Sequence, residues 1–567
     1  MMLFAARLCT SRHAVPQSNT RSEMRAKWPA VVLVSTLLAV GFFMLWSDPS
    51  SADTLHVCPS GCAYRQIRVA LWDAQPGDTI MVGPGTYRES IGLKAGVRVQ
   101  GAGSDVTFLI SEGRPAVVGT GPITATCVLD GFTIIGGAHE PTSRGGAIYV
   151  DSGAKQIISN NVISGCLASE KGGGIYVEGP GTAPVIVDNL FVGNTVQHVG
   201  GGAIYVQDAA PIIDRNTFIG NLADKDGGAL AVYTIGAPIP QAVVTNNVFI
   251  SNTARAKGGA IYLQGASPEI RANHILSNTA LSGAGIHAND HCSARVEGNL
   301  IAYNVTIGAG DDSAGGGLAI VGGSNVRVNR NIIRQNGAAW GDGVYVDNAS
   351  PDVTNNVIVD NGSANLVLTT ASPHIVNNTI LGSSCWNTVG IDLFGSSQPR
   401  VVNNVIAFEA YGIRGDGEAA PTVLYNDLWM NLQADTFGVQ AGATNLSADP
   451  YLVDPVSGDY HLAGNSPLID AGSTQDAPID DFDGDLRPVD GDGDSVAAAD
   501  IGADEFVAPA AATPTPTATL ASTATATPTG TPTATSTSTP LPTTTPTIAG
   551  TPTSSAVYIY LPIVWVR

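Results

Sequence analysis

Short apolar runs of three to five residues recur along the middle of the chain, separated by glycine and asparagine. The clearest run is Gly-Gly-Ala-Ile-Tyr-Val, which begins at Gly145, returns as Gly-Gly-Ile-Tyr-Val at Gly173 and recurs unchanged at Gly201. Its apolar centre continues through eleven repeats at intervals of 22 to 32 residues. These centres are Ile148, Ile175, Ile204, Leu230, Ile261, Ile286, Leu318, Val344, Val367, Ile391 and Ile413. A period of this length is typical of repeat architectures.

A second motif, Asn160-Asn161-Val162-Ile163, alternates with the first. A third short run often ends in Asn-Thr, as at Asn194-Thr195. The second asparagine of the Asn-Asn motif forms a column of eleven positions, namely Asn161, Asn189, Asn216, Asn247, Asn273, Asn299, Asn331, Asn356, Asn378, Asn404 and Asn426. Each period therefore holds two or three short strands joined by turns, with no room for a helix.

Stacked coils explain these motifs, because one repeat cannot bury its apolar face alone and neighbouring repeats create a continuous core. The sequence predicts an all-β chain, a parallel β-helix of about eleven coils. We expect each column asparagine to adopt a left-handed turn and to hydrogen-bond the backbone of the next coil. Residues 66–73 predict a short amphipathic helix that covers the open N-terminal end.

Both ends of the chain carry segments of a different kind. Residues 1–52 contain an apolar run from Ala30 to Trp46, preceded by Arg25 and Lys27. This pattern predicts a secretory signal peptide, and an uncleaved membrane anchor is the alternative. Residues 508–555 are almost only Thr, Pro, Ala, Ser and Gly, which predicts a disordered, extended stalk. The apolar tail at 556–567 indicates a signal for surface retention, or else a docked strand.

The net charge limits which kinds of molecule can bind this protein, and two of the cysteines fit an exported protein. The chain has 27 basic and 48 acidic residues, a net charge of −21. Such a surface repels nucleic acids and anionic lipids, and it suits neutral glycans, cationic partners or anionic glycans bridged by calcium. Cys58 and Cys62 predict a disulfide, which export permits. The other cysteines after the leader are expected to be small buried apolar side chains, namely Cys127, Cys166, Cys292 and Cys385.

Further motifs carry a family resemblance. They are Cys58-Pro-Ser-Gly-Cys62, Gly77-Asp78-Thr79-Ile80, Gly85-Thr86-Tyr87 and Asp130-Gly131-Phe132-Thr133-Ile134. With the repeats, they resemble the pectate-lyase-like right-handed β-helix proteins, which implies a right-handed solenoid over residues 53–431. Residues 432–507 carry Ala448-Asp449-Pro450, a run from Ser466 to Gly472, and a run from Asp500 to Phe506. That segment is similar to the choice-of-anchor Q module, which implies attachment to the cell envelope.

The resemblance transfers no catalytic residue. The nearest fragment of a polygalacturonase motif is Gly310-Asp311-Asp312, and its partner motifs are missing, as are the arginine–proline motifs of pectate lyases. Asp151 and Glu178 are the catalytic candidates, because equivalent positions in neighbouring coils would place their carboxyls ~5 Å apart, as in retaining glycosidases. Two solvated surface carboxylates are the alternative.

The outer face of one strand column suits sugar binding. Alternation places the residue after each apolar centre outside the coil. A column of aromatic rings results, which predicts stacking against sugar rings, at Tyr149, Tyr176, Tyr205, Tyr262 and Tyr345. The alternative is a strand face on which tyrosines stack on one another. Charged residues in the preceding turn either line a groove for an acidic glycan or form surface ion pairs, namely Arg144, Lys171, His198, Lys225, Asp226 and Lys257.

An aspartate-rich stretch follows the repeats and predicts a calcium site. Its candidate ligands are Asp481, Asp483, Asp485, Asp490, Asp492, Asp494 and Asp500. Alternating aspartates and glycines supply oxygen ligands and sharp turns. The stretch resembles an EF-hand or dockerin-like loop, but Ser495 replaces the usual glycine and Asp500 comes one residue early. A solvated acidic loop is the alternative.

These observations favour an exported cell-surface β-helix that binds extracellular carbohydrate. A polysaccharide lyase or glycoside hydrolase is the first alternative. A structural spacer or adhesin without catalysis is the second.

Overall fold

The computed structural model describes residues 52–138, 144–236, 240–308, 310, 312–383 and 387–508. The predicted leader, stalk and apolar tail lie outside these residues, as does Cys385. Within the described part, no helix is long and apolar enough to cross a membrane.

The described chain is a parallel β-solenoid of fourteen coils with three sheets, and each coil adds one strand or strand pair to each sheet. Sheet 1 contains β1 (Thr54–Val57), β2 (Thr79–Val82), β5 (Arg98–Gly101), β8 (Val128–Asp130), β11 (Ile157–Ser159), β15 (Val185–Val187), β19 (Ile212–Asp214), β23 (Val243–Thr245), β27 (Glu269–Arg271), β31 (Arg295–Glu297), β35 (Arg327–Asn329), β38 (Asp352–Thr354), β41 (His374–Val376), β44 (Arg400–Val402) and β47 (Thr422–Leu424).

Sheet 2 follows sheet 1 in every coil, and six of its coils bend to give two short strands. It contains β3 (Gly85–Arg88), β6 (Thr107–Glu112), β9 (Thr133–Ala138), β12 (Val162–Ser164), β13 (Leu167–Ala168), β16 (Leu190–Val192), β17 (Thr195–Val196), β20 (Thr217–Ile219), β21 (Leu222–Ala223), β24 (Val248–Ile250), β25 (Thr253–Ala254), β28 (His274–Leu276), β29 (Thr279–Ala280), β32 (Leu300–Ala302), β33 (Val305–Thr306), β36 (Ile332–Arg334), β39 (Val357–Val359), β42 (Thr379–Leu381), β45 (Val405–Ala407) and β48 (Asp427–Trp429).

Sheet 3 closes each coil. It contains β4 (Ile91–Gly92), β7 (Val117–Thr120), β10 (Ile148–Asp151), β14 (Ile175–Glu178), β18 (Ile204–Gln207), β22 (Leu230–Tyr233), β26 (Ile261–Gln264), β30 (Ile286–Asn289), β34 (Leu318–Val321), β37 (Val344–Asp347), β40 (Ala364–Thr369), β43 (Val389–Phe394), β46 (Tyr411–Gly415) and β49 (Ala434–Phe437). The chain ends in an antiparallel hairpin of β50 (Leu452–Asp454) and β51 (Asp459–Leu462), followed by irregular chain.

The predicted β-helix is confirmed, with a corrected coil count. The eleven repeats correspond to eleven strands of sheet 3, and three coils without the Gly-Gly signature were missed, those of β4, β7 and β49. The strand β49 also lies beyond the predicted end at residue 431. One repeat centre shifts, because Leu366 rather than Val367 pairs with Val344 and Ile391.

The N-terminal end is covered as predicted. Helix α1 (Ile67–Asp73) buries Ile67, Ala70 and Leu71 against the first coil. Glu89 caps the helix, because its carboxylate accepts the N–H groups of Ile67 and Arg68 at 2.8 and 3.0 Å. The disulfide between Cys58 and Cys62 is present. The cysteines in the described chain that lie outside this bridge are buried, as expected, namely Cys127, Cys166 and Cys292.

The asparagine column lies inside the solenoid, at the corner between sheets 1 and 2. At each rung the backbone N–H and the side-chain Nδ2 both donate to Oδ1 of the next asparagine; for Asn161 and Asn189 the distances are 3.0 and 3.1 Å. Nδ2 also donates to a backbone carbonyl, as from Asn161 to Leu129 at 3.1 Å. The ladder continues beyond Asn426 to Asn445. The predicted hydrogen bonding to the next coil is therefore confirmed.

One detail of this ladder is corrected. The left-handed residue is the one before the ladder asparagine, as at Asn160 and Asn246, where φ is 54° and 56°. The left-handed turn directs that preceding side chain outward and the ladder asparagine inward. We call the preceding positions corner residues.

A second asparagine ladder occupies the bend within sheet 2. Asn194 donates its N–H to Asn221 Oδ1 at 3.0 Å, and the same contact repeats through seven coils to Asn361. Cys166 begins the ladder and donates its backbone N–H to Asn194. Between the ladders the core is apolar, and stacked rings of Phe191, Phe218 and Phe249 lie 4.7 and 4.6 Å apart.

Glu409 interrupts the second ladder near its C-terminal end. Its Oε1 accepts a hydrogen bond from Asn365 Nδ2 at 2.6 Å, and its backbone N–H donates to Asn431. The residue is 1% exposed, and Oε2 has no hydrogen-bond partner in the described part of the chain. Burial raises the pKa of this carboxyl to about 7. Glu409 therefore fits the ladder best as a neutral acid.

We expect Asn247→Ala to destabilise the protein by about 3 kcal/mol or more, because it leaves buried partners above and below it without hydrogen bonds. Asn247 donates to Ile213 and Asn273, and its Oδ1 accepts from Asn216. Urea unfolding measures the loss. Asn246→Gly is the matched control, since this corner residue points outward and glycine keeps its positive φ. Equal effects from the two variants would contradict an inward ladder.

We expect the pH dependence of stability to weaken in Glu409→Gln. The folded pKa of Glu409 lies above its unfolded value of 4.5. The stability that the buried neutral carboxyl contributes is therefore fully present below pH 4.5. It falls by roughly 3 kcal/mol as the pH rises to 7. Glu409→Gln should match the wild type at pH 4.5 and exceed it at pH 8 in urea unfolding. Glu418→Gln, at an exposed carboxylate, should keep the wild-type slope; an unchanged slope in Glu409→Gln would refute the argument.

Candidate functional site

The tyrosine column faces outward as predicted, but most of its rings are covered. Ile148 and Ile175 belong to the central core, whereas Tyr176 and Tyr205 form a separate cluster outside the coil. The exposed fractions of Tyr176, Tyr205 and Tyr262 are 0%, 2% and 3%. Tyr149 and Tyr345 are half-buried. A sugar ring must contact an exposed ring face, so the three covered rings do not form the predicted platform.

The cover comes from the rings themselves and from the preceding turns. Tyr176 and Tyr205 stack with centroids 5.7 Å apart. The Arg144 guanidinium lies 5.6 Å from the Tyr176 centroid, and Lys171 Nζ lies 5.0 Å from that of Tyr205. Ala231 places no ring at its position in the column. Tyr233 fills that space, and its ring stacks with its centroid 4.9 Å from that of Tyr205. The predicted turn charges at Arg144 and Lys171 thus hold the stack together by cation–π contacts.

The catalytic candidates, Asp151 and Glu178, are the last residues of the neighbouring strands β10 and β14 in sheet 3. Glu178 Oε2 forms an ion pair with Arg144 Nη1 at 3.4 Å. Asp151 Oδ1 is buried and has no hydrogen-bond partner among the described residues. A catalytic role for Asp151 and Glu178 stays a prediction.

A side segment, residues 448–507, packs against the solenoid rather than extending it. Its apolar side chains Leu462, Leu468 and Ile501 bury the outward Val357 and Val405 of sheet 2. Corner residues of four successive coils hold its backbone. Their bonds are Arg330 Nε to Asp481 O, Asn355 Nδ2 to Asp480 O, Asn377 Nδ2 to Asp500 O, and Asn403 Nδ2 to Ser473 O, at 2.7 to 3.0 Å.

The predicted calcium ligands separate into different environments. Asp481 and Asp500 are buried, and backbone amides occupy their oxygens, as from Asp483, Gly484 and Asp485 to Asp481 Oδ1. Burial raises the pKa of Asp500 to about 8. These two carboxyls stabilise the segment's own turns.

Only part of the predicted set comes together. Carboxylate oxygens of Asp490, Asp492 and the unpredicted Asp470 lie within 4.8 Å of one another, and so do ligand atoms of Asp483, Asp504 and His461. Asp485 and Asp494 belong to neither group. Each of these two groups has side-chain atoms that could bind a metal ion, and calcium stays a prediction.

A groove of about 720 Å³ follows the corner between sheets 1 and 2, beside the hairpin of the side segment. Its lining includes three arginines from two coils and two aromatic rings, namely Arg271, Arg330, Arg334, Tyr460 and Phe482. A hollow of about 380 Å³ on the other side of the hairpin turn shares Arg334 and Tyr460. The two spaces therefore meet at Arg334.

The three arginines differ in their partners. Arg271 pairs with Glu269 at 2.9 Å, and Arg330 pairs with Asp480 at 2.6 Å. Arg334 has no ion pair in the described part of the chain, and its buried Nε has no hydrogen-bond partner there. Arg334 is therefore the cation that is left for an external anion.

Sequence reasoning missed this groove, although one signal was present. Arg334 is the third residue of β36, and it faces outward. The same position in the coils on either side holds Ser164, Val192, Ile219, Ile250, Leu276, Ala302, Val359, Leu381, Ala407 and Trp429. A lone cation in a largely apolar column marks the site, but the column is visible only once the strand register is known. Tyr460 and Phe482 come from the distant side segment.

The similarity of this chain to known proteins lies mainly in its fold. A family model described as the right-handed β-helix region matches residues 123–301 and 241–406. Similar solved structures are distant, carbohydrate-active β-helix proteins. They include the complex of XylC with xylose (13% identity, 79% of this chain, 98% of that chain, TM-score 0.34), the pectate lyase Pel9A (14%, 81%, 97%, 0.30) and the catalytic domain of a GH87 α-1,3-glucanase with tetrasaccharides (12%, 70%, 70%, 0.35). No curated protein matches the chain.

We expect Asn403→Gly to loosen the side segment. Asn403 Nδ2 donates to Ser473 O at 3.0 Å, and its Oδ1 accepts the Ser473 N–H at 2.8 Å. Removing both bonds should cost about 2 kcal/mol, while glycine keeps the positive φ of 57°. Limited proteolysis should cut residues 448–507 several-fold faster than in the wild type. Asn160→Gly, at a corner that holds no side segment, should leave the cleavage rate unchanged; equal rates in all three proteins would refute the docking role.

Proposed function

Because this chain belongs to the right-handed β-helix family, we propose that it is an exported protein that binds an acidic polysaccharide in the groove beside its side segment. The observation that carries this proposal is Arg334, an arginine without an ion pair in a groove that also offers Tyr460 and Phe482. A guanidinium binds a carboxylate or sulfate by two parallel hydrogen bonds. The groove thus offers one anchor for an anionic sugar.

The aromatic and apolar lining suits the rest of a sugar ring. Tyr460 and Phe482 are half-buried, so part of each ring stays accessible for contact with C–H groups. Beyond the groove, sheet 2 continues the apolar outer column with the half-buried Ile219, Ile250 and Leu276. A polysaccharide extended along the solenoid would meet this column coil after coil.

Export and surface attachment are parts of the same proposal. The predicted signal peptide, the stalk and the apolar tail support them, as does the resemblance to the choice-of-anchor module. The Cys58–Cys62 disulfide fits an oxidising compartment outside the cytoplasm. The cell envelope would then be the protein's partner through the C-terminal tail, or through the N-terminal segment if it is not cleaved.

We expect the purified full-length chain to bind polygalacturonate or alginate, and xylan or dextran far less, in calorimetric titrations with calcium and with EDTA. Arg334→Gln should weaken binding at least tenfold, because it removes a charge-assisted hydrogen bond. Tyr460→Ala should weaken it several-fold. Arg98→Gln removes an exposed arginine outside the groove, so it is the matched control.

Three outcomes would speak against this proposal. Failure to bind any acidic polysaccharide would favour the structural spacer. Equal loss in Arg98→Gln and Arg334→Gln would indicate nonspecific charge. New reducing ends or unsaturated sugars would favour the lyase or hydrolase and direct substitutions to Asp151 and Glu178.

A further inference from the structure

The side segment places one imidazole among three carboxylates. His461, on β51, has Nδ1 2.6 Å from Asp459 Oδ1 and Nε2 2.8 Å from Asp483 Oδ2. A carboxylate oxygen of Asp504 completes the group, because ligand atoms of His461, Asp483 and Asp504 all lie within 4.8 Å of one another. The hairpin, the aspartate-rich loop and the end of the segment each supply one of these residues.

We propose that His461, Asp483 and Asp504 bind a divalent transition-metal ion such as Zn²⁺ or Mn²⁺. A set of one imidazole nitrogen and two carboxylate oxygens suits these ions, whereas calcium prefers oxygen ligands alone. Three protein ligands leave coordination positions open for water. On binding, the ion takes the place of the proton on His461 Nε2, which passes to solvent, and no electron is transferred.

Asp459 gives an independent reason to identify Nε2 as a ligand. An imidazole that binds a metal usually donates its other ring N–H to a carboxylate, which fixes the ring and increases its basicity. Asp459 holds this place on Nδ1, and Nε2 is thereby directed toward Asp483 and Asp504. His374 and Asp352 form a comparable surface pair at 3.0 Å, but no third ligand joins them in the described part of the chain.

Asp504 supplies a buried oxygen for the ion. The residue is 8% exposed, and its Oδ2 accepts the Leu462 N–H at 2.7 Å. Asp504, His461 and Asp483 line a cavity of about 50 Å³ between the side segment and sheet 2. This volume exceeds the space that one water molecule needs, so an ion with a bound water fits.

The site borders the proposed polysaccharide groove without depending on it. The cavity and the groove share Tyr460 and Phe482. The ion would tie the hairpin to the chain end, so binding should raise the thermal stability of the side segment. This effect exists whether or not the groove binds a sugar.

The test is a calorimetric titration of the full-length chain with ZnCl₂ and with MnCl₂, after EDTA treatment and dialysis. We expect one tight site in the wild type and at least tenfold weaker binding in His461→Gln and Asp483→Asn. His374→Gln and Asp492→Asn should bind as the wild type does. The first control removes the imidazole that pairs with Asp352. The second disrupts the group formed by Asp470, Asp490 and Asp492.

Thermal unfolding gives a second measurement. Zn²⁺ should raise the midpoint by several degrees in the wild type and in His374→Gln, and by much less in Asp483→Asn. Asp483 is exposed, so its substitution tests the site even if His461→Gln does not fold. Wild-type affinity in both His461→Gln and Asp483→Asn would overturn the proposal. So would absence of a tight site, or a loss of binding confined to Asp492→Asn.

Discussion

Buried amides at the corners of the coils are the constraint on which this structure depends. Each turn between sheets 1 and 2 brings backbone N–H groups into an interior without water, where an unpaired donor costs about 1–3 kcal/mol. The side-chain Oδ1 of each ladder asparagine pairs these donors, because it accepts two hydrogen bonds from the preceding coil. Since every rung needs the next, a slip of one residue would leave several buried groups unpaired. The ladders therefore fix the register of the apolar strands between them.

The same turn also determines what the outside can carry. A left-handed corner residue precedes each rung, and its side chain points away from the core. Corner residues from Asn160 to Gly298 are exposed, so packing leaves them free to vary along the solenoid. From Arg330 to Asn403 they hold the backbone of the side segment. Stacking spaces these side chains by about one strand separation, 4.8 Å, so their donors reach three stretches of the segment, at Ser473, residues 480–481 and Asp500.

Much of the fold is predictable from sequence, because the ladder demands one residue type at one period. The repeats predicted parallel coils, the inward apolar centres and the bonds from Asn161 to Asn426. The coils of β4 and β7 escaped detection because they precede both ladders, and the coil of β49 because it lacks the Gly-Gly turn, although it contains Asn426. Alternation also placed Tyr176 and Tyr205 correctly outside the coil. It could not show that these rings are buried, because Arg144 and Lys171 cover them from turns in the preceding coils.

The candidate sites were harder to predict because distant segments build them. His461 and Asp504 are 43 residues apart in the sequence, and only the packing of the side segment brings them to Asp483. The acidic stretch drew attention by composition, yet Asp481 and Asp500 use their oxygens for local turns. Composition identifies carboxylates, but the competition between backbone amides and an ion for each oxygen is decided by the fold.

The side segment also decides which arginine is available. The chain's net charge of −21 repels an acidic polymer at long range, although this repulsion is screened beyond about 8 Å at physiological salt. Recognition must then come from contacts shorter than that distance. Asp480 pairs with Arg330, and Glu269 pairs with Arg271, whereas Arg334 lies beside two aromatic rings without an ion pair in the described part of the chain. The segment that covers the apolar face of sheet 2 thus leaves Arg334 without an ion pair beside its hairpin, and the polysaccharide that we propose as ligand would supply one.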